Sequence, residues 1–204
     1  MQIIIMGPQG SGKGTQAEML ARELGIRHVC TGDLLREMAQ KDAKIKEAID
    51  RGELLPPEIV IPLVRKNLME CRKGFVLDGA PRNTEQAQML GIHIDHVIYL
   101  DIPDKKVIER LSSRLQCMEC RAIYGKDMPP KVQGKCDKCG SELRHRDDDN
   151  PETIRKRLKV FHEETEKVMK YYERKRLLRK VDASGKPEEV FERILKAIKP
   201  PARL

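Results

Sequence analysis

Tryptophan is absent from this 204-residue sequence, and with three phenylalanines and four tyrosines its aromatic content is only 3 %. Single-stranded nucleic acid is held largely by stacking bases on aromatic rings, so that mode of binding has little material here. No run of 18 apolar residues occurs, which argues against a membrane-spanning helix. No charged-then-apolar leader with a small-residue cleavage site is present either, so the sequence reads as a soluble, unprocessed protein of the cytoplasm. Neither a Ser/His/Asp nor a Cys/His pattern announces nucleophilic catalysis, and there is no internal repeat or low-complexity segment. Charge, in contrast, is plentiful: 40 Lys and Arg against 32 Asp and Glu give a net charge of +8, with 35 % of residues charged. Such a balance suits anionic partners, whether nucleotides, nucleic acid or an acidic surface. The length allows one full core with small inserted subdomains.

The chain opens on its most informative stretch, IIIMGPQGSGKGTQ. Three isoleucines and Met6 form a short apolar run of the kind that makes a buried parallel strand. A turn carrying Gly7, Gly10, Gly12 and Gly14 follows, and without a Cβ each can adopt positive φ and bring its N–H close to a phosphate oxygen. Lys13 then places a charge at the start of a helix, whose N-terminus itself favours anions. The spacing Gly7, four residues, Gly12, Lys13 is that of the phosphate-binding loop. The Ser/Thr that usually follows the lysine is displaced by one, to Thr15. The strand, loop and helix arrive in the required order, so a nucleoside triphosphate is the expected ligand.

Beyond the loop, apolar residues at Ala17, Leu20, Ala21 and Leu24 predict a helix over 13–24, closed by Gly25. His28-Val29 reads as a brief strand. Thr31 and Asp33 are candidate caps for a helical region running some forty residues, broken at Gly52 and Pro56-Pro57. Phe75-Val76-Leu77 predicts a buried strand, 84–90 a short helix, 96–100 another strand, and 104–115 a helix. A long amphipathic helix is predicted from Pro151 to about Lys175, then a strand over 177–181 and a closing helix bearing Val190, Ile194, Leu195 and Ile198. Residues 200–204 read as a frayed tail. Strands alternating with helices imply an α/β fold with a parallel sheet covered by helices.

Between Cys117 and Arg146 the helical period vanishes and two cysteine pairs appear, so this part reads as an inserted subdomain. The pairs are Cys117/Cys120 and Cys136/Cys139, spaced C-x₂-C-x₁₅-C-x₂-C. Each pair can present two thiolates to one tetrahedral ion, and Gly140 suits the tight turn of such a knuckle; disulfides or idle thiols are the alternatives. The pattern predicts a structural Zn²⁺ with four protein ligands and no open position for chemistry. Cys30 and Cys71 are single and read as packing residues, and His145 as surface.

Four segments, GPQGSGKGTQ, TGDLLR, DGAPRNTEQ and RDDDNPETIRKRL, resemble the adenylate kinase family in order and separation, and the likeness covers nearly the whole chain. Even the displaced threonine fits, since nucleoside monophosphate kinases carry Gly-Lys-Gly-Thr at this point. The resemblance implies a P-loop NTPase-type domain over 1–204, with a core of 1–30, 61–115 and 149–204. It implies an acceptor-binding insertion at 31–60 and a zinc-bearing lid at 116–148. It also implies Mg²⁺-dependent transfer between ATP and AMP, with two ADP as products. For the donor it points to Gly10, Ser11, Gly12, Lys13, Gly14, Thr15, Arg110, Arg114 and backbone near Lys186, with Arg110 stacking on the base. For the acceptor it points to Thr31, Arg36, Leu55, Gly79, Arg82, Gln86, Arg146 and Arg155. Lys13, Arg82, Arg114, Arg146 and Arg155 would neutralise the transferring group, and Asp33 and Asp78 would order water around Mg²⁺. Asp148 and Asp149 fall near the donor, and Asp147 stands where the family often has lysine.

The chemistry is consistent with a site built of cations. A nucleotide's terminal phosphate has a second pKa of about 6 and is largely dianionic at pH 7, so the acceptor needs no general base. Alignment and charge neutralisation are what remain to be supplied. Thr31 and Gln86 match an adenine-reading pattern. Ala80, in place of the usual phenylalanine, and Asn83, as typical of pyrimidine kinases, depart from it, so a UMP/CMP or broader nucleoside monophosphate kinase stays open. A nucleic-acid-binding ATPase with a zinc ribbon is the rival of another class. No nucleic acid and no membrane are expected as partners, and nothing specifies an oligomeric state.

Overall fold

The structure, a computed structural model, describes residues 1–146 and 149–198. Asp147, Asp148 and the expected frayed tail at 200–204 lie outside the described residues. The element order is β1 (Gln2–Met6), α1 (Lys13–Leu24), β2 (Arg27–Cys30), α2 (Thr31–Ala39), α3 (Ala43–Asp50), α4 (Pro57–Met69), β3 (Phe75–Asp78) and α5 (Thr84–Leu90). It continues with β4 (His96–Asp101), α6 (Asp104–Ser112), β5 (Leu115–Cys117), β6 (Ile123–Tyr124), β7 (Leu143–Arg144), α7 (Pro151–Val160), α8 (Glu166–Arg174), β8 (Leu178–Asp182) and α9 (Pro187–Ile198).

Among the described residues, five strands form one sheet in the order β2-β3-β1-β4-β8, and every pairing is parallel. The apolar run of β1 is buried because the strand is covered on both faces. Ile4 and Met6 face a layer that includes Val64, Leu90, Tyr99 and Phe161, while Ile3 and Ile5 face one that includes Leu20, Leu111, Ile154 and Ile194. Parallel strands therefore present their carboxyl ends along one edge, and Met6, Cys30, Asp78, Asp101 and Asp182 all end there. In open α/β sheets that edge is where ligands bind.

A second, three-stranded antiparallel sheet, in the order β6-β5-β7, carries the cysteine pairs. Its small core consists of Cys117, Tyr124, Cys136 and Leu143. No helix among the described residues is long and apolar enough to cross a membrane.

Several boundaries differ from expectation. The helix after Asp104 stops at Ser112, because Gln116 and Cys117 are committed to pairing with β7. Leu177 donates its N–H to the Tyr172 carbonyl, so the last strand starts at Leu178 rather than at 177. Neither Thr31 nor Asp33 caps α2: the helix already includes Thr31, and Asp33 is turned to Arg36. The helix expected from Pro151 to Lys175 is divided by a π-helical turn over Phe161–Thr165. That widened turn lays Phe161 on the ring of Tyr99, centroids 6.4 Å apart, and lets the Thr165 hydroxyl donate to the Arg82 carbonyl at 2.9 Å. π-turns often occur at functional sites, and this one anchors an arginine of the cleft.

Candidate active site

The loop between β1 and α1 is bent as a phosphate cradle requires. Gly7, Gly10 and Gly12 have φ of +147°, +75° and +95°. At Gly7 a Cβ would lie 2.8 Å from the Leu100 carbonyl and 2.9 Å from Ser11 Oγ, so only glycine fits. Gly14 is different: it is the second residue of α1, and a Cβ there would make only an ordinary contact, 3.6 Å from Asp78 Oδ2. Ser11 is buried and Thr15 lies on the first turn of α1. Lys13 Nζ donates to the Pro8 carbonyl at 2.8 Å, holding its charge inside the curve of the loop. Burial lowers the lysine to about 8, with Asp78 opposing and Arg82 and Arg114 adding to the fall. Nearby cations and a desolvated ammonium together make a strong anion site.

From this loop a cleft runs to a second pocket, and Arg82 and Arg157 line both. Arg82 is fixed at two points: its Nε donates to the Gly79 carbonyl at 2.8 Å, and its backbone N–H donates to Gln86 Oε1 at 2.8 Å. Burial and then Arg157 press the Arg82 guanidinium below its usual range, against the pull of Asp78. Arg36, Arg114 and Arg146 complete the wall of the second pocket. Arg114 makes a two-point ion pair with Asp149, and Arg146 Nε donates to Gln116 Oε1 at 2.7 Å. The site thus gathers guanidiniums from α2, the β3–α5 loop, the end of α6, the lid and α7.

Arg155, expected in this group, lies exposed on α7. Its place is taken by Arg157, whose Nη2 donates to the Ile49 carbonyl at 3.1 Å. The helical period supplies the signal that could have found it: Thr153, Ile154 and Leu158 are buried, and Arg157 shares their face while Arg155 does not. Gln9, which lines both pockets, is a second residue the motif reading missed.

The remaining expected residues fall as follows. Thr31, Leu55, Gly79 and Gln86 all line the second pocket; Thr31 Oγ1 is sealed from solvent with no hydrogen-bond partner among the described residues. Asn83 accepts from the Gln86 N–H at 2.8 Å as the cap of α5, a structural role. Arg110 bridges three segments: Nε to Asp127 at 2.7 Å, and the Nη groups to the Gly10 and Ser11 carbonyls at 3.4 Å and to those of Ala183 and Gly185 at 3.3 Å. It therefore joins the phosphate loop to the turn before Lys186. Asp78, 6 % exposed, lies beside Lys13 and Gly14, where a carboxylate could hold water of a hydrated cation. Asp33 instead pairs with Arg36 at 2.5 Å, with Arg121 at 3.8 Å. Burial alone would raise its pKa, but those two arginines hold it below the usual range.

In the lid, the four sulfurs of Cys117, Cys120, Cys136 and Cys139 all lie within 4.8 Å of one another, with two pairs at 3.4 Å. Sulfurs about 2.3 Å from a tetrahedral ion are about 3.8 Å apart, so the cluster fits zinc closely. The Tyr124 hydroxyl lies 3.5 Å from Cys136 Sγ and accepts from the Asp137 N–H at 2.8 Å, bracing the cluster from behind.

Comparison with known proteins gives a consistent picture. A family model described as adenylate kinase matches residues 5–177. A curated adenylate kinase from Carboxydothermus hydrogenoformans is 44 % identical over 97 % of this chain and 99 % of its own length. Another from Caldicellulosiruptor saccharolyticus is also 44 % identical, over 97 % of this chain and 99 % of that protein. One from Archaeoglobus fulgidus is 43 % identical over 95 % of this chain and 96 % of its own.

Proposed function

This chain belongs to the adenylate kinase family, and from that membership and the geometry of the cleft we propose that it moves the γ-phosphoryl group of ATP directly onto AMP, reversibly, to give two ADP. The family is one of phosphotransferases that use Mg²⁺ with ATP. The observation that carries this reading is the pair Arg82 and Arg157, which line the loop-side pocket and the acceptor pocket alike. Two nucleotides lying end to end would bring their phosphates together at that point.

The division of labour follows from position. Lys13 and the N–H groups of Gly10, Ser11, Gly12, Gly14 and Thr15 hold the donor's β- and γ-phosphates at the start of α1. Arg36, Arg82 and Arg157 hold the AMP phosphate, already dianionic at neutral pH, in line with the γ-phosphorus. Arg114 and Arg146 face the transferring group and carry its equatorial charge through a loose transition state. Arg157 takes the part first expected of Arg155. Asp78 would hold the water of Mg²⁺, which when bound with ATP would supply further neutralisation of phosphate charge. The Thr31 hydroxyl and the Gln86 amide read the adenine of AMP, while Arg110, with backbone near Lys186, flanks that of ATP.

We further assign 31–60 as the acceptor flap and 116–148 as the lid, closing on the core made of the rest. Arg121 of the lid meets Glu37 of α2 at 3.1 Å, and Lys138 meets Glu18 of α1 at 2.7 Å, so both insertions have partners that favour closure. Closure excludes water that would otherwise compete for the γ-phosphoryl group. Zn²⁺ on the four lid cysteines is part of this proposal; with four protein ligands it would fold the lid and leave chemistry to the arginines. A cytoplasmic location is proposed as well, since reducing conditions suit a thiolate zinc site.

A coupled assay tests the activity: ATP with AMP should give two ADP and require Mg²⁺, with CMP, UMP and GMP much poorer acceptors. Brisk hydrolysis of ATP without AMP would contradict the proposed closure.

A further inference from the structure

Strand β2 lies beside β3 with His28 opposite Val76 and Cys30 opposite Asp78. Side chains alternate along a strand, so His28, Cys30 and Asp78 project from the same face of the sheet. One donor atom from each, an imidazole nitrogen, Sγ and a carboxylate oxygen, lies within 4.8 Å of the other two, and His28 Nε2 is 4.0 Å from Asp78 Oδ2. That nitrogen is sealed from solvent and has no hydrogen-bond partner among the described residues. A buried polar atom without a partner is unusual and calls for a physical reason. The reading of Cys30 as a packing residue does not supply one.

We propose that His28, Cys30 and Asp78 form a second metal site, separate from the lid cysteines, that takes a thiophilic divalent cation such as Zn²⁺ and thereby inhibits phosphoryl transfer. One nitrogen, one sulfur and one oxygen donor suit zinc, which accepts all three and leaves a fourth position to water or a nucleotide oxygen. Mg²⁺ is hard, demands oxygen ligands and keeps its own water, so it does not compete for the sulfur. Zinc–ligand distances of about 2.0–2.3 Å would put the donor atoms about 3.3–3.8 Å apart, a contraction that side-chain rotation supplies. On binding, the Cys30 S–H bond breaks as the S–Zn bond forms, and the proton passes to buffer. Lys13, whose charge is felt by both Cys30 and Asp78, opposes the incoming cation, so this site is weaker than the lid cluster. Inhibition rests on the role proposed above for Asp78, since a carboxylate ligating zinc is lost to the water of Mg²⁺; the binding itself does not.

The test uses the full chain with its lid already loaded with zinc. Further Zn²⁺ is titrated against a chromogenic chelator, and metal bound per chain is counted. One additional equivalent is expected, weakened at least tenfold in Cys30→Ser and in His28→Gln, with lid zinc retained in both. Serine can still accept from the Asp33 N–H, and thermal unfolding monitors the fold of each variant. In parallel, transfer between ATP and AMP is followed at buffered free zinc. The unsubstituted protein should lose activity as the second site fills, whereas Cys30→Ser should keep its basal rate and need at least tenfold more zinc. Absence of the extra equivalent, or its persistence in both variants, overturns the site. An extra equivalent that vanishes in both variants yet never inhibits overturns the inhibitory half alone and places the fault in the role given to Asp78.

Discussion

Arg114, just beyond α6, and Asp149, just before α7, are joined by hydrogen bonds of 2.7 Å from Nε to Oδ2 and 2.5 Å from Nη2 to Oδ1. The pair is deep, with side chains 14 % and 2 % exposed, and it clamps the two ends of the lid at its base. Removing one member of a buried ion pair costs about 3–5 kcal/mol, because the other charge is left uncompensated. Here Lys13 is a further cation nearby. Asp149→Asn should therefore lower stability by about 3 kcal/mol, read as a fall in the urea midpoint. An unchanged midpoint would mean that the pair contributes nothing.

Arg157 and Arg155 are two residues apart and should behave oppositely. Arg157→Met removes a cation aimed at the phosphates and should reduce kcat by at least about 10²-fold, the scale seen when one preorganised donor is lost. Arg155→Met, on the exposed side of α7, should stay within about twofold, since surface substitutions usually perturb by less than about 0.5 kcal/mol. Steady-state kinetics on the two variants decides which arginine belongs to the site.

The lowered pKa of Lys13, about 8 in the free protein, fixes a pH dependence. Phosphate oxygens favour the charged lysine, so the bound pKa is higher. ATP affinity should be level below about pH 8 and fall roughly tenfold per pH unit above it, until the bound pKa is reached. Without nucleotide, between about 8 and the ordinary 10.5, the unfolded chain binds more protons than the folded one, so this group's contribution to stability rises with pH in that window. Calorimetric titration with ATP from pH 7 to about 10 tests the first statement, and Lys13→Met should flatten the curve.

Thr31 Oγ1 is buried at the acceptor pocket beside Gln86. Replacing it with alanine should cost AMP about 1–3 kcal/mol in kcat/KM, a factor of about 5 to 150, while CMP is little affected. Equal losses for the two acceptors would remove Thr31 from base recognition.

The lid has too small a core to fold on apolar burial alone. Metal analysis should give about one zinc per chain at this cluster, and Cys136→Ser should lower that occupancy and open the lid to limited proteolysis. A lid that resists protease equally well with its zinc removed would contradict the structural role.

Elements formed by local pattern were legible in the sequence. The isoleucine run became β1, the glycine-rich turn became the cradle, and the short helix over 84–90 appeared with those bounds. Predictions failed where a distant partner overrode the local signal. Leu115 left its helix for a strand because Tyr124 of β6 pairs with it, and the amphipathic stripe after Pro151 hid a π-turn that serves Tyr99 and Arg82. Asp33, a candidate cap by local pattern, lies inside α2 instead and pairs with Arg36, one turn along the same helix.

The sequence alone determined the chemistry on offer: a phosphate loop, a surplus of guanidiniums and four cysteines at zinc spacing, all residue types and spacings that need no fold to be recognised. Only the tertiary structure decided which of those groups meet. Arg157 rather than Arg155 enters the cleft because α7 turns about 100° per residue and its buried face is set by packing. Likewise, His28, Cys30 and Asp78 became neighbours only when β2 and β3 paired in parallel register, a contact between residues far apart in the chain that no local spacing encodes.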